Sequence, residues 1–263
     1  MIKVGIIGLG QIGSSILKTL YKNKEYELFC YSKSSFKKAK KYTKHANNDI
    51  KIIQTCDIIF VCCEIEKTLD VLDELNSFLP KKTIVADVSS IKKDLINKEY
   101  NFNFILTHPM AGVEKSGFDA GFDGLFKNCR WLIEKNNKVL NKIIKDLEAK
   151  PYKIDMLNHD KLCAQISHLP TILSFLLFDC ATDEAKKIAS SGFRDTTRLA
   201  ITKENLALSM FNNNRENILN SFDCLINKLN CLKKMSDDEK INLFKAISQN
   251  RAKMYDKNGK NIF

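Results

Sequence analysis

Only four histidines occur in this chain of 263 residues, and two of them stand within two residues of a proline in unusual local sequence. The segments are Thr107-His108-Pro109-Met110-Ala111-Gly112 and Ser167-His168-Leu169-Pro170. A third segment, Gly192-Phe193-Arg194-Asp195-Thr196-Thr197-Arg198, follows them. Imidazole exchanges protons near neutral pH. Guanidinium is permanently charged, and its planar fork matches a carboxylate. Upstream, Gly8-Leu9-Gly10-Gln11-Ile12-Gly13 opens the chain in a G-x-G-x-x-G pattern. Proton-handling and anion-binding residues therefore lie far apart in sequence, downstream of a glycine turn, and the fold has to bring them together.

The elements that could do so are legible. Lys3 to Ile7 is a short apolar run, and Ser14 to Tyr21 carries Ile16, Leu17 and Leu20 at helical spacing. Strand, glycine turn and helix in that order form the context of a dinucleotide-binding fingerprint. The first glycine permits the turn, the second lets backbone approach a pyrophosphate, and the third lets helix pack on strand. Gly8, Leu9, Gly10, Gln11, Ile12 and Gly13 are thus expected to hold a dinucleotide at a helix N-terminus.

The second strand, Glu27 to Tyr31, runs into Ser32-Lys33-Ser34-Ser35. An NAD site usually ends this strand with a carboxylate for the ribose 2′-hydroxyl. None is present, and Ser32, Lys33 and Ser34 suit a 2′-phosphate. The expectation is NADP in preference to NAD; a dual-use site or an ordinary polar loop are the alternatives.

Further strands are expected at Asp57–Cys63, Thr83–Asp87, Asn103–Thr107 and Cys129–Ile133, with helices at Lys67–Phe78 and Val139–Leu147. This alternation predicts an α/β fold, a Rossmann-type doubly wound and mostly parallel sheet. Its working groups should lie at the carboxyl ends of the strands. Three segments fall there: Cys62-Cys63-Glu64, with Cys63 near the nicotinamide half, Asp87 to Lys92, and His108 to Gly112. Four of the ten glycines (Gly112, Gly117, Gly121 and Gly124) follow His108. They read as a mobile wall of the site or as a turn-rich connection.

The strand pattern ends near Lys150 to Asp155, which reads as a linker. The division is therefore a dinucleotide-binding domain over 1–155 and an all-helical C-terminal domain over 156–263. Asp160–Ala181 is predicted as one apolar helix interrupted near Pro170, followed by helices over Asp183–Ser190, Glu204–Arg215, Glu216–Leu232 and Asp237–Tyr255. Ile172 to Phe178 offers little polar face and must be buried, within the monomer or in a homodimer. His159 lies nine positions before His168, so it should point elsewhere on the helix and be structural. His45 falls in a polar surface stretch.

Composition narrows the classes. No run of eighteen apolar residues predicts a membrane span, and Met1 leads into a strand with no signal-peptide pattern. Nine scattered cysteines with no CxxC pair indicate a reducing, cytoplasmic setting and no metal site. The net charge of +11 reads first as a solvated lysine-rich surface. It also attracts anions, which suits a phosphorylated cofactor and a carboxylate substrate. Without an aromatic-interleaved basic motif, nucleic-acid binding is not expected.

Taken in order, the fingerprint, Asp87-Val88-Ser89-Ser90-Ile91-Lys92 and the three segments quoted first resemble the prephenate and arogenate dehydrogenase family of tyrosine biosynthesis, over nearly the whole chain. That resemblance implies oxidative decarboxylation of a 4-hydroxycyclohexadienyl acid: prephenate to 4-hydroxyphenylpyruvate, or arogenate to tyrosine. Hydride passes from the hydroxyl-bearing ring carbon to NAD(P)+, and the ring carboxylate leaves as carbon dioxide. By the same resemblance His108 accepts a hydrogen bond from the ring hydroxyl and Ser90 bonds the other imidazole nitrogen. His168 and Arg198 contact substrate, and Glu114 stands near the mouth. His168 could instead be a kink residue bonded to backbone, and Arg194 with Asp195 a structural pair.

Thr171 stands where many prephenate-specific members carry a second histidine, and Glu204-Asn205-Leu206-Ala207 lacks a proline and tryptophan common there. These departures lean toward arogenate and NADP. A homodimer with a small-molecule substrate is expected. The length leaves no room for an appended regulatory or chorismate mutase domain.

Overall fold

Strands β1 (Ile2–Ile7), β2 (Tyr26–Tyr31), β3 (His45–Asn47), β4 (Ile58–Val61), β5 (Ile84–Asp87) and β6 (Asn103–Ile105) form one parallel sheet in the order β3-β2-β1-β4-β5-β6. The computed structural model describes residues 1–112 and 115–255. Strand order reverses between β1 and β4, so the crevice for a ligand opens beyond the carboxyl ends of those two strands. Helices α1 (Gln11–Leu20), α2 (Phe36–Ala39), α3 (Ile65–Asn76) and α4 (Lys138–Asp146) accompany the sheet.

Both faces of the sheet are covered, which explains the continuous apolar strands. Ile6, Phe60 and Ala86 pack with Ile16 and Leu17 of α1 and Ile143 and Ile144 of α4. Their strand neighbours Ile7, Val61 and Val85 point the other way, against Leu72 and Leu75 of α3. Each such side chain, removed from water, contributes about 1.5–3 kcal/mol. The register Ile7↔Val61↔Asp87 places the ends of three central strands level with one another.

The predicted strand Asn103–Thr107 is broken at Leu106. Its end belongs to β7 (Thr107–Pro109), which pairs antiparallel with β8 (Arg130–Ile133); β8 then pairs parallel with β9 (Lys150–Lys153). The segment expected as a linker is therefore partly a strand, an edge strand that tolerates Pro151. His45, read from sequence as part of a polar surface stretch, lies in β3 and stacks on Phe29 at 4.4 Å between ring centroids.

Beyond β9 the chain is helical: α5 (His159–Cys163), a π-helical turn Ala164–His168, α6 (Leu169–Cys180), α7 (Asp183–Lys187), α8 (Ser191–Thr196), α9 (Glu204–Asn213), α10 (Arg215–Lys234) and α11 (Asp237–Met254). The expected interruption near Pro170 is the π-turn before it. Pro170 itself sits in the first turn of α6, where a missing N–H costs nothing.

By packing the chain forms two compact units, Met1–Asn217 and the residues from Ile218 onward. The first does not stop where the strand pattern ends. Asp160 of α5 accepts the backbone N–H groups of Lys92 at 2.8 Å and Lys93 at 2.9 Å, and so ties the first helices to the sheet. In the second unit a capping box of Ser236 and Glu239 starts α11.

The run Met156–Cys180 is long and apolar enough to cross a membrane, by length and composition, where the sequence reading expected no such segment. Its His159, Asp160 and His168 are nevertheless buried and paired within the first unit, while Leu157, Ile166 and Leu176 to Phe178 are exposed.

Candidate active site

The glycine turn is shaped by sterics that only glycine meets. Gly8 has φ +84°, and a Cβ there would lie 2.7 Å from the Cys62 carbonyl oxygen. A Cβ on Gly13 would lie 2.0 Å from the Gly8 carbonyl oxygen, so helix and turn touch backbone to backbone. Gly10 differs: a Cβ there meets nothing within 4 Å. It faces open space at the N-terminus of α1, which has neither a side-chain cap nor an acidic first-turn residue. By contrast, α4 is capped by Asn137, which accepts from the N–H groups of Val139 and Leu140. The N-terminus of α1 and the open space over Gly10 fit a dinucleotide pyrophosphate.

That fit gives a discriminating test. Gly10 has φ −70°, which alanine also adopts. Gly10→Ala should leave the melting temperature within about 2 °C of the parent, as open sites do. It should weaken dinucleotide binding at least about tenfold, or about 1.4 kcal/mol. Unchanged affinity by calorimetry would remove the pyrophosphate from this turn.

Around the turn lie the other expected cofactor residues. Ser32 is buried and its hydroxyl accepts the Ser35 N–H at 3.0 Å, while Lys33 and Ser34 are exposed. Cys63 follows β4 beside Gly8, its thiol pushed up to about 11 by burial. The glycine-rich loop after β7, read from sequence as a mobile wall or a turn-rich connection, bonds to α1 through its described residues: Lys18 donates to the carbonyls of Phe118 (3.0 Å) and Gly121 (2.6 Å), and Gln11 to Lys115 (2.8 Å). Glu114 lies outside the described residues.

At the end of β5 lies a buried polar knot. Asp87 accepts the N–H groups of Ser89 (3.0 Å) and Thr107 (2.9 Å) and pairs with the Lys92 ammonium. Lys92 also donates to the carbonyls of Ser89 (2.7 Å) and Thr107 (2.6 Å). Both side chains are fully buried. Burial pushes the Lys92 ammonium down and the Asp87 carboxylate pushes it back up. Thr107 closes the knot by accepting from the Trp131 indole at 3.0 Å. The next residue is His108, so the knot sets where that imidazole starts.

His108 Nδ1 lies 2.9 Å from His159 Nε2, and His159 Nδ1 lies 2.7 Å from the Asp160 carboxylate. The tautomers follow from the carboxylate end. Burial pushes the Asp160 carboxyl up, but its bonds to His159 and to the Lys92 and Lys93 N–H groups together outweigh that and hold it below the usual carboxylate range. Ionised, it can only accept, so His159 Nδ1 donates. His159 Nε2 then accepts from His108 Nδ1, which leaves His108 Nε2 as a lone-pair nitrogen. Burial, then the Lys92 charge, then His159 and His168 hold His108 well below 6.5. The imidazole is therefore a neutral base at neutral pH.

This corrects two expectations. The partner of His108 is His159 and not Ser90, which is exposed at the end of β5 and makes no hydrogen bond to His108. His159 does not point away. Nine residues of regular helix turn by about 900°, which would set it opposite His168. The π-turn Ala164–His168 unwinds that register, and both rings face the same buried region. Asp160 was missed altogether; the visible signal was its place beside a histidine at the head of an apolar helix.

His168 is buried, and its Nδ1 accepts from Asn214 Nδ2 at 3.0 Å, so its partner is a side chain and not backbone. Burial lowers it to about 4. Arg198 is exposed at the first position of a 3₁₀ turn that packs on α6, where Ser174 bonds the Thr196 carbonyl at 3.0 Å. Arg194 and Asp195 pair at 2.8 Å on the surface. A cavity of 480 Å³ lined by Ile96, Leu106, Glu134, Lys153 and Met156 contains none of these groups.

The strand order, the glycine turn at its switch point and the helical region after the sheet define the class of two-part dehydrogenases with a nucleotide-binding sheet and a helical second half. Comparison with known proteins makes the assignment specific. Residues 18–153 match the family model for the prephenate dehydrogenase nucleotide-binding domain, and residues 155–249 match that for the prephenate dehydrogenase dimerization domain. The chain belongs to the prephenate dehydrogenase family.

It is 32% identical to a prephenate dehydrogenase of Lactococcus lactis over 76% of its own length, and spans 61% of that relative. It is 26% identical to a cyclohexadienyl dehydrogenase of Zymomonas mobilis over 77% of its length and 78% of that protein. Among solved structures, Synechocystis arogenate dehydrogenase superposes with a TM-score of 0.79 at 28% identity, over 95% of this chain and 97% of that one.

Proposed function

We propose that this chain is an NAD(P)-dependent dehydrogenase that oxidatively decarboxylates prephenate to 4-hydroxyphenylpyruvate in tyrosine synthesis. The observation that carries the reading is the chain His108–His159–Asp160, which presents a neutral imidazole with a free lone pair at the sheet's carboxyl edge. The family assignment and the glycine cradle supply the rest.

In this reading the fingerprint residues Gly8 to Gly13 hold the pyrophosphate, and Ser32, Lys33 and Ser34 hold the 2′-phosphate of NADP. The bound nicotinamide supplies the hydride acceptor. His108 Nε2 takes the proton of the ring hydroxyl as that carbon becomes a carbonyl. His159 and Asp160 hold the imidazole in the accepting tautomer and disperse the charge it gains. Arg198 anchors a substrate carboxylate through its fork, with His168 on the same substrate. Departure of carbon dioxide from the ring restores aromaticity. Ser90 and Glu114 complete the expected site, Ser90 at its rim.

A homodimer fits the matched dimerization domain and the exposed Leu176, Leu177 and Phe178 of α6. In the second unit Ile226, Leu229, Ile241, Phe244 and Ile247 are exposed as well. Apolar residues in such numbers call for a partner surface.

A second reading, arogenate to tyrosine, is favoured by one observation. Thr171 is buried and spends its hydroxyl on the Ser167 carbonyl at 2.9 Å, so no histidine meets the side-chain keto acid there. The purified chain with prephenate or arogenate, and with NAD+ or NADP+, tests both readings by absorbance of the reduced cofactor. The expected result is turnover of one or both acids, with a higher kcat/KM for NADP+ than for NAD+. No turnover of either acid would overturn the proposal, and a preference for NAD+ would overturn the role of Lys33.

A further inference from the structure

His108, His159 and Cys163 place one ligand atom each within 4.8 Å of one another. The individual separations are 2.9 Å (His108 Nδ1 to His159 Nε2), 3.5 Å (Cys163 Sγ to His159 Nε2) and 3.9 Å (Cys163 Sγ to His108 Nδ1). A tetrahedral zinc with ordinary Zn–N and Zn–S bonds needs about 3.3 Å between nitrogens and about 3.6 Å between nitrogen and sulfur. The trio is therefore a few tenths of an ångström from a metal site. We propose that it binds a borderline-soft divalent cation of the Zn2+ type, and that this binding switches the dehydrogenase off.

The surroundings supply a second, independent reason. Metal-bound histidines characteristically donate their other nitrogen to a carboxylate, which fixes the ring and raises its basicity. His159 already does so, with Asp160 at 2.7 Å from Nδ1 and Nε2 turned toward the trio. The Asp160 carboxylate and a Cys163 thiolate would balance the cation. Lys92 acts against a cation here, and it is paired with Asp87. His159 and Cys163 are buried, whereas His108 is partly exposed and gives the ion a way in. Two imidazoles and one thiolate leave a fourth position for water, as in open zinc sites.

The proton balance explains the inhibition. Without metal, one proton lies between His108 Nδ1 and His159 Nε2, and the Cys163 thiol keeps its own. The cation displaces both. The thiol proton leaves to solvent, as thiolate ligation requires. The His108 proton moves from Nδ1 to Nε2, the nitrogen read above as the base. His108 then donates where it should accept. The inhibitory half of the inference rests on that role for His108; the binding half does not.

The test uses the full chain in metal-free buffer with a non-thiol reductant. Co2+, a spectroscopic stand-in for Zn2+, is titrated into the parent and into Cys163→Ser and Cys163→Ala. The parent should take up one equivalent with tetrahedral visible bands and thiolate charge transfer, and both variants should lose those signals. Exposed Cys180, Cys224 and Cys231 are the control for adventitious thiols, because they remain in every variant.

Zn2+ should also inhibit turnover by the parent, reversibly with a chelator. Outer-shell losses alone cost metal sites about 10–100-fold, so each Cys163 variant should need at least about tenfold more Zn2+. Cobalt spectra that are absent, or the same in all three proteins, would overturn the site. Equal zinc inhibition of all three would overturn the switch. Cobalt bound through Cys163 by a protein that turns over neither acid would instead refute the dehydrogenase reading and leave the metal site standing.

Discussion

Replacing His108 with asparagine should lower kcat by at least about 10²-fold, the usual contribution of a positioned general base. Dinucleotide affinity should barely change, because the cradle is built from Gly8, Gly10 and Gly13, and the atoms nearest Gly8 and Gly13 belong to Cys62, Cys63 and Gly8. Asparagine keeps a donor for His159 but has no lone pair of comparable basicity. The pH profile sharpens the test. His108 is held well below 6.5 in the folded protein, so kcat/KM should be flat through neutral pH and fall only on acidification below that value. His159→Gln should lower kcat less than His108→Asn does, because it unlocks the tautomer without removing the base. An unchanged kcat in His108→Asn, or an acid limb that survives the substitution intact, would take His108 out of the proton transfer.

The same shift bears on stability. A histidine with a depressed folded pKa takes up its proton more readily when unfolded. The stabilising contribution of neutral His108 and His168 is therefore complete above about 6.5 and is lost as pH falls, with His168 titrating near 4.

The second large effect belongs to Lys92. Lys92→Met keeps the apolar stem but leaves Asp87 buried against two backbone N–H groups with no cation. Breaking a buried pair on one side costs about 3–5 kcal/mol. For a chain of this size that is a fall in Tm of about 6–20 °C. The sign with pH is specific. An unpaired buried carboxyl has a raised folded pKa, so the folded variant holds a proton that the unfolded chain releases. The deficit should therefore shrink toward pH 5 and grow toward pH 8. Asp87→Asn in the same chain should recover much of the loss, since no charge is then left unpaired. A Tm change under 2 °C in Lys92→Met, or a deficit independent of pH, would show that the pair does not hold β5, β7 and α5 together.

The fold was readable because its signals are local. The glycine turn, the apolar strands and the helical spacing of Ile16, Leu17 and Leu20 each sit within a few residues of one another, and each dictates one element. The divergences come from tertiary context. Residues 103–109 read as one strand because nothing in their composition reveals that Thr107 leaves the main sheet to satisfy Asp87. Lys150 to Lys153 looked like a linker because an exposed edge strand needs little apolar patterning.

The candidate site divides along the same line. His108, His168 and the glycines stand in conspicuous segments. The partners that give them chemistry do not. Asp87 and Lys92 appeared only as parts of a segment, with no sign that they form a buried pair. His159 and Asp160 were hidden because spacing assumes a regular helix, and Asn214 sits at the far end of α9 with no motif around it.

The π-turn at Ala164–His168 has a consequence for how this site is inherited. Part of its information is stored in chain length and not in residue identity alone. On a regular helix a spacing of nine residues sets two side chains on opposite sides, whereas a spacing of eight sets them about 80° apart. The π-turn takes up the extra residue and so reconciles nine positions with one shared region. Substitutions that restored regular pitch at constant length would part the two rings, although both histidines would still read as intact.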